Sequence, residues 1–132
     1  MIARLTETFD FHGQALLLRA ERQRVIAGNI ANADTPGYQA RDFDFASALR
    51  EATAGGGGRG GIAADVMRSG GRPAPALRYA VPSQTGLDNN TVDMDRERSA
   101  FADNAVKYES TLRFINGSVR TMLDAMKSHH QA

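Results

Sequence analysis

The sequence predicts a mainly α fold: two long terminal amphipathic helices packed as a coiled-coil-like pair, with an irregular glycine-rich middle that contains a short β segment. Three observations point there. Phe101, Ala105, Tyr108, Leu112, Ile115, Val119, Met122 and Met126 recur at alternating steps of four and three, a 3.5-residue repeat that keeps one seam of a helix turned to the same neighbour. A second apolar stripe runs through the first part of the chain. Residues 36–92 carry glycine, proline and turn signals in place of any sustained period.

In chain order, Ile2, Leu5, Phe9, Leu16, Ile26, Ile30 and Ala33 share one track, and Phe11, Ala15, Leu18 and Val25 an adjoining one. Together they predict a helix over Thr6–Ala31, weakened by about 1 kcal/mol at Gly13 and prone to fray before it. Arg19, Arg22 and Arg24 are expected to form a solvated basic face. His12, on the apolar track, has no second ligand spaced to join it in a metal site.

The helix is expected to stop in the run Asn29-Ile30-Ala31-Asn32-Ala33-Asp34-Thr35-Pro36-Gly37-Tyr38. Asn32 is suited to the left-handed conformation that closes a helix, and Pro36-Gly37 to the centre of a type II turn. An extended stretch with Phe43 and Phe45 then leads into a short helix near Phe45–Ala52. Six glycines among residues 55–61 predict a flexible linker, with neither the lysine of a phosphate loop nor the preceding strand of a dinucleotide site. Leu77, Tyr79 and Val81 alternate as one short strand would. Asp93 or Asp95 caps the last helix, placed at Met94–Lys127, whose opposite face carries Asp103, Lys107, Glu109, Arg113, Asn116, Arg120, Asp124 and Lys127. The division expected is residues 1–35, 36–92 and 93–132, forming one structural unit.

Composition narrows the function. With 16 basic against 15 acidic residues, no broad field favours nucleic acid or an anionic membrane. The absence of cysteine excludes disulfides, thiol catalysis and thiolate zinc sites. Asp93, Asp95 and Glu97 fit helix capping better than a carboxylate site, and His129 and His130 have no partner at the terminus. No catalytic, cofactor or metal constellation emerges, so neither an enzyme nor a binder of small-molecule substrates is expected. Ala15–Leu18 is too short for a signal-peptide core or a membrane span. Each stripe exceeds what the other helix can cover, which points to an assembly subunit. A soluble dimeric coiled-coil adaptor or regulator is the alternative that the pattern alone leaves open.

The string Asn29-Ile30-Ala31-Asn32 followed by Thr35-Pro36-Gly37-Tyr38 resembles the N-terminal signature of the axial proteins of the bacterial flagellum: rod, hook and hook-associated subunits. Tyr38–Phe45, Leu87–Asp95 and Ala100–Tyr108 with Asn116-Gly117 are similar to the proximal-rod members of that family. The resemblance spans residues 5–45 and 79–126 and leaves out the glycine-rich middle. It implies a structural subunit of the basal-body rod, exported by the flagellar type III apparatus without a cleaved signal peptide and polymerised into a hollow tube. The neighbours implied are other copies of the chain, the rod protein FlgC and the adaptor FliE. Phe101, Ala105, Tyr108, Leu112, Ile115, Val119, Met122 and Met126 would then form the packing seam, partly covered by Ile26 and Ile30. Asn29, Asn32, Thr35, Pro36, Gly37 and Tyr38 would steer the chain from the helix toward an adjacent subunit.

Overall fold

The computed structural model describes residues 2–54, 75–82 and 86–130. Helix α1 spans Ile2–Ala31, strand β1 Arg41–Asp42, helix α2 Phe45–Ala54, strand β2 Arg78–Tyr79 and helix α3 Met94–His130. The architecture is mainly helical, as the two apolar stripes require. The glycine run at 55–61 and Pro73 lie outside the described residues.

Helices α1 and α3 run antiparallel, and three contacts fix their register. The Asn104 amide of α3 donates to the Arg19 carbonyl (2.9 Å) and to Gln23 Oε1 (2.7 Å) of α1. The Glu97 carboxyl lies beside the Asn29 side chain. At the far end, the His12 ring stacks on Phe114 at 6.0 Å between centroids. Position numbers thus fall on one helix as they rise on the other. On α1 these contacts fall on His12, Arg19, Gln23 and Asn29.

The remaining face of α1 holds a small core. Leu18 and Val25 pack with Phe43 and Ala52, flanked by Phe45, Ala48 and Leu49. Helix α2 is laid across α1 and is started by Asp44, whose Oδ1 accepts the Ala46 N–H (3.1 Å) while Oδ2 accepts the Ser47 hydroxyl (2.8 Å). Strands β1 and β2 pair antiparallel, Arg41 opposite Tyr79 and Asp42 opposite Arg78.

Four expectations are corrected. Helix α1 starts at Ile2 rather than Thr6, so Gly13 does not unwind the turns before it. The three arginines are only in part a solvated face: Arg19 lies 3.6 Å over the Phe45 ring and Arg22 is 3.5 Å from Asp42, while Arg24 is exposed and paired with Glu21. An arginine stem covers apolar surface while its guanidinium finds an acid or a ring, so a basic stripe on a helix need not be a wet one. Strand β2 is only two residues long and leaves Leu77, Tyr79 and Val81 exposed. Helix α3 continues past Lys127 to His130.

Leu18 is 1% exposed and Leu17 38%. Leu18→Ala is expected to lower unfolding free energy by about 3 kcal/mol, and Leu17→Ala by under about 1 kcal/mol, as read by urea titration of the purified chain.

Candidate functional site: a polar knot and the helical face beyond it

The turn signature is closed by hydrogen bonds that tie the end of α1 to the start of α3. Pro36 and Gly37 occupy a type II turn, with Gly37 at φ +72° and the Tyr38 N–H donating to the Thr35 carbonyl at 3.2 Å. Asn32 does not adopt the left-handed conformation; among the described residues Asn89 (φ +60°) is the non-glycine residue that does. Asn32 instead turns its amide back to the Gly28 carbonyl (2.8 Å) and accepts the Thr35 hydroxyl (3.2 Å). The Gly28 carbonyl, which also accepts the Asn32 N–H at 3.2 Å, thus takes a second donor from the same residue.

Two buried asparagines complete the knot. Asn29 is 1% exposed. Its amide nitrogen donates to the Arg41 carbonyl (2.7 Å), and its oxygen accepts the Arg41 N–H (3.0 Å) and the Tyr38 hydroxyl (3.2 Å). One side-chain amide therefore pairs with Arg41 as a neighbouring strand would. Asn90, 6% exposed, donates its amide to the carbonyls of Asn32 (2.9 Å), Ala33 (2.8 Å) and Thr35 (2.8 Å), and accepts the Val92 N–H (2.8 Å). With two hydrogens serving three acceptors, at least one bond is shared. Around it the Gly37 N–H donates to the Asp88 carbonyl (2.8 Å) and the Thr91 N–H to the Tyr38 carbonyl (3.0 Å).

Asp93 caps α3 as expected, accepting the Arg96 N–H at 3.2 Å. Glu97 departs from the capping role assigned to it: it is buried, 8% exposed, beneath α1. Burial pushes its carboxyl above the ordinary range, and the neighbouring Asn29 side chain only partly opposes this. Asn90 was not singled out by sequence reasoning, and Glu97 was read only as a capping group. The signal for Glu97 was its place seven residues before Asn104, in a column that continues through Thr111 and Ser118.

That column changes the reading of the seam. Of the residues on the apolar track, Tyr108, Leu112, Ile115 and Met122 are half-buried, while Phe101, Ala105, Val119 and Met126 are exposed. Glu97 and Asn104 are buried and Thr111 and Ser118 half-buried, so the side of α3 turned to α1 is half polar. The helix is rotated so that part of the apolar track faces outward. Ile26 is buried and Ile30 half-buried on the α1 side. From Ala105 to His129 no side chain is buried, and Val106 (64% exposed), Phe114 (63%) and Leu123 (49%) add apolar surface. On α1 none from Arg4 to Gln14 is buried. The polar residues expected on the outer face, from Asp103 to Lys127, are all exposed.

Among the described residues, no group of three or more acidic, histidine or cysteine side chains could hold a metal ion, and no helix is long and apolar enough to cross a membrane.

Residues 9–39 match the family described as flagella basal body rod protein. The chain is 46% identical over 135 residues to the flagellar basal body rod protein FlgB of Proteus mirabilis, covering 96% of this chain and 98% of that one. It is 44% identical to FlgB of Escherichia coli K12, covering 97% and 99%, and 47% identical to FlgB of Salmonella typhimurium, covering 96% and 98%.

Asn90→Ala removes the donor for three carbonyls and is expected to cost about 3 kcal/mol, with Asn90→Asp no better because a carboxylate cannot donate; urea titration measures both. For Glu97 the folded-state value lies above the unfolded one, so the folded chain holds the proton more tightly. Stability then falls as pH rises through the interval between the two values, the lower near 4.5. Glu97→Gln keeps an acceptor beside Asn29, and its midpoint is expected to lack that fall and to equal or exceed the parent's at pH 7.

Proposed function

We propose a function from one premise: the chain belongs to the flagellar basal body rod protein FlgB family. It is a structural subunit of the rod and assembles with other rod and basal-body components. By our reading it is the proximal-rod subunit, polymerising through α1 and α3 into the hollow drive shaft through which later subunits are exported. Residues 1–35 and 93–132 would supply the helical pair and residues 36–92 the arm that meets neighbours, the whole acting as one unit. The rod signature, Asn29, Asn32, Thr35, Pro36, Gly37 and Tyr38, would set the angle at which that arm leaves the pair.

The observation that carries this reading is the face of α3 beyond Asn104, where no side chain is buried and Val106, Phe114, Val119, Leu123 and Met126 stand at least 40% exposed. A chain that ends its core at Asn104 yet continues helical to His130 has left apolar surface for other chains to cover. A tube needs a contact that does not close on itself, and an uncovered face at one end of an elongated pair is suited to one. Ordering the distal turns costs conformational entropy that only a neighbour's burial offsets, which holds back polymerisation in the cytoplasm before export. The neighbours proposed are other copies of the chain, FlgC and FliE, reached after passage through the type III apparatus without a cleaved signal peptide.

Deletion of the gene in its host, with plasmid complementation, tests the function. Electron microscopy of basal bodies is expected to show membrane rings without rod, hook or filament, restored by the plasmid. Intact flagella in the deletion strain would return the weight to a soluble dimeric adaptor. Val106→Asp and Leu123→Asp, both at exposed positions, are expected to leave the helical content of the purified chain unchanged and to abolish swimming in soft agar.

A further inference from the structure

The distal half of α3 forms an open groove of about 840 Å³, walled by Leu5, Phe114, Met122 and Met126. Gly117 lines it too, and a Cβ added there would meet no atom within 4 Å, so glycine widens the groove rather than fitting a close contact. Beside it, sharing Gly117, lies a second hollow lined by Arg113 and Arg120. Arg113 is paired with Glu109 at 2.8 Å, but both side chains are more than 60% exposed, so the pair is cheap to exchange.

At the other end of the molecule the turn 86–90 displays Leu87 wholly exposed. It is held stiffly. The Gly86 N–H donates to the Asn90 carbonyl and the Asn89 N–H to the Gly86 carbonyl, both at 3.0 Å, and the Asn90 N–H donates to Asp88 Oδ1 at 3.2 Å. Asn89 takes the left-handed conformation, and the Asp88 carbonyl is tied to Gly37. A large apolar side chain on a braced turn loses little entropy on binding, which is the character of an interface anchor. The same end carries the exposed acids Asp34 and Asp88, opposite in sign to Arg113 and Arg120.

We propose that Leu87 of one copy of this chain enters the groove beside Gly117 of the next, with Asp88 and Asp34 facing Arg113 and Arg120. The inference rests on the rod reading above and names one of its contacts. Leu87 lies before the start of α3 at Met94, and Gly117 lies about 35 Å along the helix from there at about 1.5 Å per residue, so no chain can fill its own groove with its own Leu87. The contact is head-to-tail and leaves a groove open at one end and an anchor at the other, as a growing polymer requires.

The chain contains no cysteine, so introduced thiols report cleanly. Two versions, Leu87→Cys and Thr121→Cys, are expressed together in the deletion strain, and isolated basal bodies are oxidised. An adduct of twice the chain mass, at least tenfold above that from either version alone, is the expected result. The proposal is overturned by an equal adduct from Leu87→Cys alone, which would mean a symmetric contact, by an adduct with a different rod protein, or by no adduct in basal bodies that contain the chain. Leu87→Asp gives a second reading independent of cross-linking. Because Leu87 is fully exposed, its circular dichroism should match the parent's while swimming falls at least tenfold; normal swimming overturns the proposal. Rods built without this cross-link would reject the anchor alone, whereas rods in the deletion strain would reject the function it rests on.

Discussion

The Asn90 amide, shared among the carbonyls of Asn32, Ala33 and Thr35, is the contact on which the rest of this structure depends. Those carbonyls belong to the turns just past the end of α1, where a helix runs out of its own partners. Asn90 reaches them from the segment leading into α3, so one side chain both finishes the first helix and sets where the last begins. Asn29 performs the matching task one turn earlier, pairing with both backbone groups of Arg41 and so directing the chain into β1. Neither residue has an apolar substitute, since each meets donors and acceptors together in a place with little water to replace them.

Stability is distributed unevenly as a result. The buried side chains, from Ala15 through Ala52 and from Asn90 to Asn104, all lie at the end of the helical pair that holds the knot. Within the pair, Asn104 plays the part a polar residue takes in a coiled coil, setting register at some expense in stability, and its Oδ1 has no partner. Beyond it each turn of α3 gains only its own backbone bonds and half-buried contacts with α1. Helix propensity alone seldom holds such a segment in water, and packing against other chains is the natural source of the remainder.

Much of this was legible in the residues. The two stripes specified the long helices, Pro36-Gly37 the turn, and Asp93 the cap. The seam was read only in part, because a 3.5-residue repeat marks the apolar column and is silent about a polar column beside it. Tyr108, Leu112, Ile115 and Met122 are half-buried alongside Glu97, Asn104, Thr111 and Ser118, and a pattern search that counts only apolar residues adds the exposed Phe101, Ala105, Val119 and Met126 to the track and passes over the polar column. Arg19 was misread for a related reason: its charge suggests water, while its contact with Phe45 depends on where α2 lies. Asn90 was hidden among turn residues, since its partners are more than fifty positions away in the chain. Long-range polar contacts leave no period to read.

Hydrogen exchange of the purified monomer, resolved by peptide, tests most directly whether the knot end folds alone while the distal helices wait for neighbours. Strong protection is expected in residues 18–31, 38–52 and 90–104, with exchange at least a hundredfold faster in residues 4–12 and 112–128, corresponding to about 2.7 kcal/mol between the two regions. Uniform protection along both helices would contradict this, for the distal turns would then be held within a single chain without a neighbour.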